Sequence, residues 1–183
     1  RNFSQYTGLE SSAGWETIVL PFDVQRTAHA AKGEIVPFGT AATSHNQYWL
    51  AEADGAAFKA ASAIKANVPY IIAMPNNAAY GEHSLNGQIT FSAEEAMIYA
   101  TDESMVGQLG DFTLVPTYEK LDADKGIYAL NAGSKHESYS SGSVFVAGKY
   151  AVRPFSAYVV PVQEEEAAPM YRITFSEGDT AEE

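Results

Sequence analysis

The sequence predicts an all-β fold: an antiparallel β-sandwich, or a jelly-roll-like relative of one, with at most one or two short helices. Three observations carry this. Short apolar segments recur along the whole chain. Clusters of Gly, Pro, Asn, Asp and Ser separate them at the spacing of strand-to-strand turns. The composition, with 11 Tyr, 9 Phe, 14 Gly and 8 Pro in 183 residues, favours strands and turns over long helices.

In chain order the expected strands are WETIVLPF (15–22), NQYWLA (46–51), VPYIIAM (68–74), QITFS (88–92) and DFTLVPTY (111–118). They continue with GIYALN (126–131), GSVFVA (142–147), RPFSAYVVPV (153–162) and MYRITFS (170–176). In the last of these Tyr171, Ile173 and Phe175 share one face and Arg172, Thr174 and Ser176 the other. In the first, Ile18, Leu20, Phe22 and Val24 point one way while Trp15, Thr17 and Val19 line a moderately apolar opposite face, so both faces are expected to be partly covered. Pro21 has no N–H to give a ladder, so it is expected at a strand end or sheet edge, and Pro154 mirrors it by leading into a strand.

Two stretches remain open between helix and strand. Residues 52–67 are Ala-rich, with Phe58, Ala61 and Ile64 at helical spacing, yet Phe58, Ala60, Ser62 and Ile64 suit a strand equally. Residues 92–100 offer Ser92 as an N-cap with Glu95 at the capping-box position, or a strand running on through MIYA. No composition shift marks a linker, so residues 1–183 read as one domain with flexible ends at 1–14 and 177–183.

A net charge of −12, with 11 scattered Lys and Arg, disfavours nucleic acid and anionic membrane surfaces as partners. The absence of cysteine excludes disulfides, thiolate metal sites and Cys nucleophiles. VPYIIAMPNNAAYG, the longest apolar region, is broken by Pro and Asn and does not span a bilayer. The chain starts at Arg1 without a signal peptide and reads as a mature or trimmed fragment.

His29, His45, His83 and His136 stand singly in loop-like surroundings and read as surface histidines, so no metal site is expected. LDADKG places Asp122 and Asp124 like the start of a calcium loop, but Lys125 puts a cation inside it and Gly133 stands where the twelfth-position carboxylate belongs, so it reads as a turn. GQLGDF is likewise a turn, and neither a serine-nucleophile elbow nor a phosphate loop is present. No cofactor is implied. An acidic pair drawn from Glu94, Glu95, Asp102, Glu103 and Glu119 would suit glycoside hydrolysis, but acids this numerous have neighbours by necessity. Trp15, Trp49 and Tyr48 sit in apolar strands and read as core. The candidate ligand-binding residues are instead loop aromatics beside polar groups: Tyr80, Glu82 and His83 in one loop, His136 and Tyr139 in another.

Taken together, W-x-T-I-V-L-P-F-D-V (15–24), A-N-V-P-Y-I-I (66–72), G-D-F-T (110–113) with G-I-Y-A-L-N (126–131), and V-R-P-F-S-A-Y-V (152–159) resemble a β-rich module of secreted and surface proteins of Bacteroides and Prevotella-type bacteria. That module often sits near the C-terminus, behind leucine-rich repeats. The resemblance covers roughly residues 15–160. It implies a cell-surface or secreted location, with the periplasm as the alternative, and a non-catalytic role in adhesion, assembly or spacing. It brings no catalytic residues. Where members of the module carry Arg after the late Pro-Phe, this chain has Ser156, which removes a buried ion pair. Asp179-Thr180-Ala181 has the form of an O-glycosylation acceptor used by such bacteria. The expected partners are a glycan or another surface protein; the competing readings are a carbohydrate-binding module and, behind it, a polysaccharide hydrolase.

Overall fold

The computed structural model describes residues 1–3, 14–40, 44–101, 105–163 and 168–176. They form an all-β, sandwich-like fold of two sheets. The strands are β1 (Asn2–Phe3), β2 (Glu16–Ile18), β3 (Arg26–His29), β4 (Gly33–Pro37), β5 (Asn46–Ala53), β6 (Phe58–Ala60) and β7 (Tyr70–Ala73). They continue as β8 (Gly87–Ser92), β9 (Gly107–Leu109), β10 (Phe112–Thr117), β11 (Tyr128–Leu130), β12 (Val144–Ala147), β13 (Ser156–Pro161) and β14 (Met170–Arg172). The first sheet runs β1-β8-β3-β4-β5-β7-β2, with β6 added to β5; the second runs β14-β12-β11-β13-β10-β9. Among the described residues every strand ladder is antiparallel except β4 with β5, where Ile35 stands opposite Asn46 in parallel register; two isolated bridges, Gly55 with Leu109 and Phe58 with Phe175, are parallel as well.

Alternation along the central strands feeds two cores. On β7, Ile71 and Ala73 join Trp15, Phe58, Leu114, Phe145 and Val159 between the sheets. Their neighbours Tyr70 and Ile72 face the other way, into a second cluster with Ile18, Ile35, Tyr48, Leu50 and Ile89. Those residues come from β2, β4, β5 and β8 of one sheet, so that sheet must curl until its own members meet. A strand covered on both faces has no reason to alternate with polar residues, hence the unbroken apolar run VPYIIAM. Burial pushes the Tyr48 and Tyr70 hydroxyls up to about 12. Each is held: Tyr48 pairs with Thr27 Oγ1 at 3.3 Å, and Tyr70 accepts from the Lys65 N–H at 3.0 Å.

All nine expected strands contain strand structure. MYRITFS alternates as read, with Tyr171, Ile173 and Phe175 all in or against the inter-sheet core. β2 stops at Ile18, so Pro21 lies in the bend beyond it, where its carbonyl accepts from Tyr99 N–H at 3.1 Å. Pro154 likewise precedes β13. Three other prolines do fall within strands, and Pro37 is the last residue of β4, opposite Tyr48. Pro116 pairs with Ala157 and Pro161 with Phe112. The Ala157 N–H points away from β10, to Thr17 Oγ1 at 3.0 Å. That marks 116–157 as a non-hydrogen-bonded pair, and 112–161, four residues along each strand, as another, since pair types alternate; neither proline leaves a ladder acceptor unmet.

The open stretches resolve against helix. Within 52–67 the regular structure is all strand: the end of β5 (Glu52 and Ala53) and β6. Residues 93–100 are neither helix nor strand. Ser92 does not cap, because its hydroxyl donates across the sheet to the Arg26 carbonyl at 3.4 Å, and Glu95 adopts φ +52, which no helix tolerates. The helical element described is a 3₁₀ segment, Ala78–His83, started by Asn77 accepting from Ala79 N–H. The strand alternative for Phe58 and Ala60 is the one realised, as β6, whereas the β3–β4 hairpin and β9 escaped the sequence reading because each is short and half polar; GQLGDF, read as a turn, opens with β9. Residues 2–3, placed in a flexible end, pair with β8.

Candidate functional site

Glu16 is the one acid of β2, in register with buried Ile72 of β7, and its side chain is only 6% exposed. An ionised carboxylate there needs partners of opposite charge. Arg1 Nη2 and Arg153 Nη2 both meet Oε2, at 3.0 and 3.1 Å. Burial pulls the Arg1 guanidinium below its ordinary value while Glu16 opposes this. Arg153, 63% exposed, comes from the turn before β13. This triad lies at a cleft of about 650 Å³ whose walls include Thr17, Ser141, Tyr150 and Ser156. The Ser141 hydroxyl is buried without a hydrogen-bond partner. Ser156, where the resemblance expected an arginine in other members, is buried and donates to the Pro154 carbonyl at 3.5 Å. The buried ion pair of this chain is built elsewhere, on Glu16.

The loop between β11 and β12 forms one side of the cleft, and Asn131 shapes it. Its amide donates to the Ser134 and Ser140 carbonyls and its carbonyl oxygen accepts from Ser143 and Val144 N–H, all within 3.1 Å. Two sequence candidates belong to this loop. His136 and Tyr139 exchange backbone hydrogen bonds, and His136 Nδ1 meets the Tyr150 hydroxyl at 3.2 Å. His136 is therefore buried behind the cleft wall. The surface reading of the histidines fails here and at His29, which is buried between the Asn86 carbonyl and Ala31 N–H; His45 and His83 are exposed.

Tyr80, Glu82 and His83 lie elsewhere, on the 3₁₀ segment. Tyr80 stands edge-on to Trp49 at 5.7 Å, and Trp49 packs on Phe38 at 5.1 Å. His83 Nδ1 meets Asn46 Oδ1 at 3.1 Å, and the Glu82 carbonyl accepts from Lys32 Nζ. Trp15 and Tyr48 are core, as read; Trp49 is half-buried, with one side on the inter-sheet core.

A third feature is a set of exposed apolar side chains. Met97 and Ile98 are 66% and 68% exposed, with Tyr99 and Phe155 also in solvent. Buried Asn67 fixes their surroundings. Its amide donates to the Tyr99 and Ala100 carbonyls, both at 3.0 Å, and its oxygen accepts from the Tyr118 hydroxyl, whose ring stands edge-on to Phe155 at 5.4 Å. Phe155 takes φ +57, a costly conformation for a bulky residue; its carbonyl receives both Val19 N–H and Arg1 Nη1.

Among the described residues no group of three or more His, Asp or Glu is gathered as metal ligands. Asp124 accepts from Gly126 N–H at 2.9 Å and Asp122 pairs with Lys120, so the calcium-like stretch is a turn. Glu94, Glu95 and Glu119 are exposed, while Asp102, Glu103 and the Asp179-Thr180-Ala181 acceptor lie outside the described residues. No helix among the described residues is long and apolar enough to cross a membrane. The sequence missed Glu16, Arg153, Ser141 and Tyr150 as a group; a lone acid inside an otherwise apolar strand was the available signal.

Glu16→Ala should cost about 2 kcal/mol, since Arg1 is left half-desolvated while Arg153 can turn to water. Arg153→Ala, removing the exposed partner, should cost under about 1 kcal/mol. Urea unfolding of both variants checks the ordering; equal costs would show that Glu16 does not serve as the hub. Comparison of the chain with family models, curated proteins and solved structures returns no match.

Proposed function

We propose that this chain is a non-catalytic β-sandwich module of a bacterial cell-surface or secreted protein, working in adhesion or assembly. The observation that carries the reading is the apolar platform of Met97 and Ile98 with Tyr99 and Phe155 beside it. Exposed apolar side chains on a loop whose backbone is tied down at Tyr99 and Ala100 favour contact with another surface. The resemblance to modules of Bacteroides and Prevotella-type surface proteins supports the location.

Beads coated with the module should be retained on cells of such a bacterium, and Met97→Glu combined with Ile98→Lys should lower retention roughly tenfold without lowering thermal stability. Unchanged retention would remove the platform from the reading, and release of reducing ends from a polysaccharide would overturn the non-catalytic role.

Carbohydrate binding is the second reading. It is favoured by the Phe38–Trp49–Tyr80 cluster beside Asn46 and His83, and by the polar cleft at Glu16.

A further inference from the structure

We infer that the cleft at Glu16 binds an uncharged sugar residue, holding two neighbouring hydroxyl groups between the Glu16 carboxylate and the Arg153 guanidinium. The inference rests on the carbohydrate-binding reading and assigns it a site and a mode. Both arginines contact Oε2, so Oε1 has no protein partner among the described residues and is available as an acceptor. Arg153 spends Nη2 on Glu16 and keeps its other N–H groups as donors at the cleft. A vicinal diol matches this pair: one hydroxyl donates to the carboxylate and its neighbour accepts from the guanidinium.

Charge selects against the alternatives. Two guanidiniums against one carboxylate leave the triad a net positive charge that repels a cation; an anion would have to displace Glu16 from Arg153 or sit against its carboxylate, whereas an uncharged ligand uses both groups without that cost. The Ser141 hydroxyl, buried and unpartnered in the wall, reaches the cleft by a χ1 change between staggered rotamers and supplies a third polar contact. The Tyr150 ring, held through its hydroxyl by His136, offers the apolar surface that the C–H face of a sugar requires. At about 650 Å³ the cleft falls within the range of small-molecule sites, roughly 300–1,000 Å³.

The test is an NMR titration of the ¹⁵N-labelled chain with the methyl glycosides of glucose, galactose and mannose, and with methyl glucuronide and inorganic phosphate as anionic probes. At least one neutral glycoside should give saturable shifts centred on the Ser141, Tyr150 and Arg153 amides. Arg153→Gln should weaken that binding at least about tenfold, and Ser141→Ala should weaken it less. Tighter binding of either anion overturns the inference. Shifts centred on Trp49 and lost in Tyr80→Ala overturn it too, but leave the carbohydrate-binding reading standing. No shift with any glycoside in the folded chain overturns both.

Discussion

Replacing Ile71 or Ile72 by alanine, one at a time, is expected to cost the fold about 2–5 kcal/mol at either position. The two are adjacent on β7 and point to opposite faces; both are fully buried. Ile71 packs in the core between the sheets and Ile72 in the core enclosed by the first sheet's curl. In a flat sandwich one of them would face water, and its loss would stay within about 0.5 kcal/mol. Urea unfolding measures both. One costly and one neutral substitution would refute the enclosed second core, whereas two comparable losses support it.

Asn67→Ala should destabilise by about 3 kcal/mol, more than expected from one surface-loop amide. Asn67 is fully buried at φ +61, a conformation asparagine tolerates better than alanine. Its side chain satisfies the Tyr99 and Ala100 carbonyls and the Tyr118 hydroxyl, and its own N–H donates to the Leu20 carbonyl at 2.7 Å. Alanine loses the three side-chain bonds and adds the backbone penalty. Glycine loses the same bonds without that penalty, so Asn67→Gly should be the milder change by about 1 kcal/mol. The Tyr99 amide, bonded to the Pro21 carbonyl, should exchange faster with solvent in both variants. If alanine and glycine cost the same, the left-handed backbone is not under strain.

This hub explains why residues 92–100 misled the sequence reading. Ser92 and Glu95 have the right types and spacing for a capping box, but spacing is local and the competing partners are not. Arg26 claims the Ser92 hydroxyl, Gln25 pairs with the Glu94 backbone, and Asn67 and Pro21 hold the end of the segment. Ala-rich 52–67 failed as a helix for a similar reason: β5 needed an outer neighbour at Phe58–Ala60, and Phe58 N–H and carbonyl were committed to Thr174 and Ser176. The candidate loops fared unevenly. His136 and Tyr139 do not line the cleft at Glu16: they belong to the loop that walls it, where His136 supports Tyr150, while Tyr80 joins a separate aromatic cluster with Glu82 and His83 on the same segment.

By itself the sequence determined the all-β class, the places of the main strands, the alternation of MYRITFS and the strand end before Pro21. These follow from side-chain period, turn chemistry and proline's missing donor, which act over a few residues. Only the tertiary structure decided that one sheet curls to close a second core, that β4 and β5 run parallel, and that Glu16 meets Arg153, 137 residues away. Such contacts are selected by burial and charge after distant segments have met, and leave no periodic trace in the chain.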